Sequence, residues 1–237
     1  MALPKQNAVM YSLTLPSNGK EIKYRPFLVK DEKSLLVAQQ SEDMKVMVNS
    51  LLNVIKSCVD GDINTNDLST FDVEYLFTQI RAKSVGEIAN LNLKCDTCTD
   101  EKAVAKVDID LTKVEVKKAE DHTNKIELFD DVGVIMKYPS FALIEKIQNA
   151  DNASMDELFN IVISCMESIY NTNEIFHVKE QTKDELIDFL NNLSSEQFGK
   201  IQRFFETLPK MSQQIEYDCP VCNKHHSKLL EGLQSFF

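Results

Sequence analysis

The sequence contains no tryptophan, no glycine-rich phosphate loop, no G-x-S-x-G elbow and no H-E-x-x-H helix. The common catalytic signatures are therefore missing, and an enzyme is not expected. Long apolar runs are also absent. None approaches the ~18 residues that a membrane-spanning helix needs, and the opening MALPKQNAVM has neither the basic flank nor the apolar stretch of a secretory signal. A soluble protein kept in the compartment that makes it is expected. Positive charge is scarce: 26 Lys plus Arg stand against 37 Asp plus Glu, a formal charge of -11 that repels phosphate backbones and anionic lipid. Nucleic acid is a poor partner for such a chain.

What is present suits a folded body. Of the 237 residues 43% are apolar, including 13 Phe, enough to fill a core. The apolar pattern predicts a single α+β domain over 1–237. It opens with a hairpin over 9–27, where VMYSLTL alternates, SNG turns and EIKYRPF returns. Helical parts follow over 29–85 and 140–208. In the first, the chain breaks near Ser41, and a helix from Thr70 to Val85 stops at Gly86. Met44, Met47 and Val48 belong to an apolar stripe and are expected in the core rather than in a groove for a partner. KIELFDDVGVIMKYP predicts another hairpin, followed by helices at Ser140–Asn149, Met155–Tyr170, Thr182–Asn191 and Ser194–Leu208, with EIFHV as a short strand.

Two stretches carry the chemistry. EIANLNLK alternates into Cys95 and AVAKVDI alternates out after Cys98; QIEYD alternates into Cys219 and HHSKLL leads out after Cys222. Each C-x-x-C sits at a hairpin tip, with an apolar residue four and two positions before its first cysteine. A tetrahedral zinc takes four thiolates, and one such turn places two of them on an edge of the tetrahedron. Cys95, Cys98, Cys219 and Cys222 thus predict one structural zinc in a composite ribbon built from 87–109 plus 211–230. Disulfides, reduced thiols without metal, and a shell in which His225 or His226 replaces one cysteine remain as alternatives. Cys58 and Cys165 lie in apolar helical stretches, where a free Cys behaves as a small buried hydrophobe. His122 and His177 are isolated and carry no role. Asp130 with Asp131 reads as turn chemistry, and Asp184 with Glu185 as charge in the first turn of a helix.

The order of these motifs is similar to a known family. MALP, KYRPFLVKDEKSLL, FDVEYLFTQIRAKSVGE, the knuckles CDTC and CPVC, and the closing LLEGLQSFF resemble the baseplate hub assembly proteins of T-even-like contractile-tailed bacteriophages. The resemblance spans nearly the whole chain. It implies a non-enzymatic assembly chaperone or minor hub component whose partners are other baseplate hub proteins. It would act in the host cytoplasm, with retention in the virion baseplate left open. Phe236 and Phe237 are either docked on the body or an aromatic anchor for a partner. The alternative function is a zinc-ribbon adaptor in transcription or nucleic-acid handling, for which Lys94, Lys102, Lys106, Lys224 and Lys228 are the local cations. A catalytic zinc would need one of the four cysteines to be missing from the shell.

Overall fold

Strands β1 (Tyr11–Thr14) and β2 (Glu21–Tyr24) open the chain as an antiparallel hairpin with Tyr11 opposite Tyr24. Its turn is closed by the Leu15 N–H on the Lys20 carbonyl at 2.9 Å, and Gly19 takes the positive φ of 72° that the turn requires. The computed structural model describes residues 8–41, 43–98, 100–141, 143 and 155–236. Helix α1 (Val29–Gln40) begins where Asp31 reaches back to the Leu28 N–H. Burial pushes the Asp31 carboxyl up, but hydrogen bonds from Arg25, Leu28 and Ser57 outweigh it and hold the group below its ordinary value. Helix α2 (Met44–Cys58) follows, capped by Asp43.

Helix α3 (Thr70–Val85) runs from the Ser69 cap to Gly86 at φ 143°, as the sequence predicts. Val73, Leu76 and Ile80 are fully buried. The expected Met stripe is only partly inside: Met47 is exposed and Val48 half-buried, while the Met44 side chain lies outside the described residues. Strands β3 (Ile88–Lys94) and β4 (Val104–Asp110) pair antiparallel, and a three-residue strand β5 (Glu115–Lys117) comes next.

The chain then forms a four-stranded sheet. Strands β6 (Lys125–Phe129), β7 (Val132–Met136), β8 (Met166–Tyr170) and β9 (Ile175–His177) make an antiparallel meander in that order. Helices α4 (Met155–Cys165), α5 (Lys183–Asn191) and α6 (Ser195–Glu206) supply the rest of its core, in which Phe159, Val162, Leu190, Ile201 and Phe204 meet Ile126, Val134 and Met136. The expected helix over 155–170 is corrected here. It stops at Cys165, because Met166 to Tyr170 pair with β7 on one side and β9 on the other. The stretch called helical over 140–208 accordingly includes two strands, and most of the helix expected at 140–149 lies outside the described residues.

Strands β10 (Lys210–Asp218) and β11 (His225–Glu231) return to the first part, where β10 pairs with both β11 and β5. Ala82, Ala89, Ile109, Leu111, Val114, Met211, Ile215, Tyr217 and Leu230 form one core beneath the two cysteine hairpins. The single domain expected over 1–237 thus resolves into two compact units, Met1–Lys117 with Lys210–Phe237, and Lys118–Pro209. Each has an apolar core of its own.

Candidate metal centre

Alternation along β3 and β10 brings two tips to one place. The Cys95 N–H donates to the Ala103 carbonyl at 2.9 Å, and the Cys219 N–H donates to the Lys224 carbonyl at 3.0 Å, so each knuckle is closed by the same backbone bond. The second tip is tighter and needs Asn223 at a φ of 56°. Below the tips, Leu91 and Leu93 pack on the core that holds Ile215 and Tyr217, the apolar sides that the sequence places under each knuckle.

All four predicted sulfurs meet. The Sγ atoms of Cys95, Cys98, Cys219 and Cys222 lie within 4.8 Å of one another. Across the knuckles, Cys95 is 3.9 Å from Cys222 and Cys98 is 3.8 Å from Cys219. Sulfurs at ~2.3 Å from a tetrahedral zinc are about 3.8 Å apart, so the two separations across the knuckles match such an ion. A disulfide needs about 2.05 Å, and all six cysteines are free. Cys95 and Cys219 are buried, Cys98 half-buried and Cys222 exposed.

Cys95, Cys98 and Cys222 differ in how readily they lose a proton. The Thr97 hydroxyl, 3.2 Å from the Cys95 Sγ, chiefly lowers that thiol to about 5, with the Thr97 and Cys98 backbone N–H groups helping. Its neighbour Cys98 is pushed up to about 12, first by Cys222 and then by burial. Cys222 is lowered, first by the Lys224 N–H. A first thiolate therefore forms readily while the group resists a full set of negative charges. A divalent cation at the centre would remove that resistance and favour four thiolates. With four protein sulfurs around it, such an ion keeps no open position.

The two histidines beside the second knuckle separate. His226 stacks on Tyr217, with ring centroids 5.1 Å apart, and its Nε2 is 3.2 Å from the Cys95 Sγ, where it can serve as a hydrogen-bond partner of that sulfur. His225 turns instead to Asp218, at 2.9 Å. Two contributors, Thr97 and the Tyr217 hydroxyl, are not evident from the sequence, and His226, named there as a replacement ligand, lies beside the Cys95 sulfur. The strand period held a signal for His226, since it is the residue opposite Tyr217 in the β10–β11 register.

The other singled-out residues stay outside this site. Cys58 and Cys165 are buried thiols raised by burial, Cys165 to about 12. His122 is buried against Thr207, while His177 is exposed. Asp130 occupies a turn at φ 45°, Asp131 accepts the Thr172 N–H, and Glu185 caps α5 through Thr182. Phe236 ends a 3-10 turn (Leu233–Phe236); its side chain and Phe237 lie outside the described residues. Among the described residues no helix is long and apolar enough to cross a membrane.

Fold and site together define an α+β protein of two units, one of which carries a paired-knuckle cysteine tetrad suited to a metal ion. The chain belongs to the T4 bacteriophage base plate protein family, whose profile matches residues 8–237. It is 25% identical over 227 residues to the baseplate hub assembly protein gp26 of Enterobacteria phage T4, covering 96% of this chain and 97% of that relative. No solved structure matches it.

Proposed function

We propose that this protein assembles the central hub of a contractile-tail baseplate through protein contacts, without catalysis, and that Cys95, Cys98, Cys219 and Cys222 hold one structural zinc. The end-to-end likeness to a hub assembly protein, with 96% and 97% of the two chains aligned, carries the reading.

The tetrad supports the zinc. Zinc accepts four thiolates in a closed tetrahedral shell, and its contribution there is folding free energy rather than an activated water. Cys95 and Cys219 are the buried anchors, with Cys98 and Cys222 closing the outer face. Thr97 and His226 orient the Cys95 sulfur. Assembly takes place in the host cytoplasm, and the chain either leaves the hub or stays in the virion baseplate.

The nucleic-acid adaptor draws less support. The ribbon strands carry Asp108, Glu216 and Asp218 among their lysines, and Asp218 is engaged with His225.

The test is reconstitution of the hub from its co-expressed proteins with and without this chain, the products being sized by analytical ultracentrifugation. A discrete hub particle only in the presence of the chain is expected. Identical particles without it would end the assembly reading. Elemental analysis of the purified protein is expected to give one zinc per chain; a metal-free, fully reduced and folded chain would end the zinc reading independently.

A further inference from the structure

The unit Lys118–Pro209 has an open groove of about 320 Å³ where its sheet meets α5. Phe129, Val132, Ile169 and Phe176 come one from each strand of the meander, and Leu186 and Phe189 come from the helix. Phe129 and Phe176 remain 38% and 36% exposed. Phe176 sits on β9, a three-residue edge strand whose residues are all exposed. Apolar walls left open to water, next to a sheet edge, suit a segment of another chain better than they suit solvent.

The charge of the protein says which kind of segment. Residues 118–209 hold 8 Lys plus Arg against 17 Asp plus Glu, a net of -9, which leaves only -2 of the total -11 to the other unit. The segments that build the groove show the same imbalance. Asp130, Asp131, Glu174, Asp184 and Glu185 lie on or beside its lining, against Lys179, Lys183 and Lys125, whose ammonium sits over the Tyr170 ring at 4.9 Å. Lys179 already faces Glu180 at 3.9 Å. Hydrogen bonds from Thr172 and Thr182 hold the Asp131 and Glu185 carboxyls below their ordinary values, so both are ionised at neutral pH.

We propose that this groove docks a cationic, amphipathic segment of a partner protein, its apolar side chains against Phe129, Phe176 and Phe189 and its Lys or Arg side chains on the acidic rim. An acidic segment would meet like charge, and a small apolar molecule would leave the charge without a counterpart. The groove and its chemistry are independent of the proposed hub role.

Because the chain has no tryptophan, a synthetic peptide of alternating Lys and Leu with one central Trp reports its own binding to the full-length protein by fluorescence. The control peptide has Glu at every Lys position. The Lys peptide is expected to bind with an affinity that falls with salt, and the Glu peptide not to bind. Phe176→Ser is expected to weaken the Lys peptide at least tenfold, and Glu174→Lys to weaken it and flatten the salt dependence. Phe129→Ser serves if Phe176→Ser does not fold. Equal binding of both peptides, or unchanged binding by a folded Phe176→Ser or Phe129→Ser variant, would overturn the proposal. Groove-dependent peptide binding without any hub complex would leave the docking site and remove the hub reading. A hub complex indifferent to these variants would do the reverse.

Discussion

The Tyr217 hydroxyl donates to the Lys94 carbonyl at 3.2 Å, so the residue two before Cys219 is tied to the residue one before Cys95. The two knuckles come from distant parts of the sequence and lie in separate sheets, and this bond spans them directly below the sulfurs. A single hydrogen bond of this kind contributes about 0.5–1.5 kcal/mol. Tyr217→Phe keeps the ring and its stack on His226 and removes only the tie. The expected outcome is a loss of about 1 kcal/mol in denaturant unfolding and faster release of metal to a chelator. Release at the native rate would mean that the tie does not hold the knuckles in register.

Changing one sulfur separates a metal shell from a mere cluster of thiols. Cys98→Ser removes a half-buried sulfur of the tetrad, while Cys58→Ser alters a buried thiol of α2 with no place in it. The first variant is expected to lose its zinc and the cooperative unfolding of the ribbon; the second should keep both at a small packing cost. Chelation of the native protein should reproduce the first result. Full zinc content in Cys98→Ser, measured by elemental analysis, would place the metal elsewhere.

The sequence discloses features whose cause is local. Helix α3 is legible because Ser69 caps it and Gly86 ends it within a few residues of the apolar pattern. The tetrad is legible because C-x-x-C fixes a turn chemistry wherever it occurs. Strand β8 is hidden, since Met166–Tyr170 continues the apolar run of α4 without a turn residue, and only pairing with β7 and β9 makes it a strand. The three residues of β5 need a partner far along the chain. The chain crosses between the units twice, at Lys117–Lys118 with no Gly or Pro to mark it and at Pro209–Lys210, where the single Pro reads equally well as the end of a helix. Thr97 acts through a hydroxyl-to-sulfur contact that spacing alone does not encode.

Gly133 and Tyr170 face one another across β7 and β8, and a Cβ at Gly133 would overlap the Tyr170 phenol and the Ile126 carbonyl oxygen. Gly133→Ala must therefore displace a ring and press on backbone, at a cost of about 1–3 kcal/mol. The Tyr170 hydroxyl is itself buried with no hydrogen-bond partner among the described residues. Tyr170→Phe removes an unsatisfied group while keeping the ring, and its melting temperature is expected to equal or exceed the native value. A clear loss of stability in Tyr170→Phe would show that the hydroxyl has a partner, such as a bound water.

His122 gives the second unit a pH dependence of known sign. Its Nδ1 is 2.8 Å from the Thr207 hydroxyl, its ring stacks with Tyr138 and Phe204, and its Nε2 is buried without a partner among the described residues. Thr207 already donates to the Arg203 carbonyl at 2.7 Å, so it accepts from the imidazole Nδ1–H. A proton added at Nε2 would be buried without an acceptor. Burial, and then Lys118, lower this histidine from 6.5, while Asp121 opposes them. The unfolded chain consequently takes up a proton before the folded one does. Stability is full above about pH 6.5 and falls as pH drops through the lowered folded value. His122→Asn can keep the bond to Thr207 but has no imidazole to protonate. It is expected to be less stable near pH 7.5, yet to lose less than the native protein between pH 6.5 and the carboxylate range. Parallel curves for the two proteins in urea unfolding across that window would show that His122 is not the group that titrates.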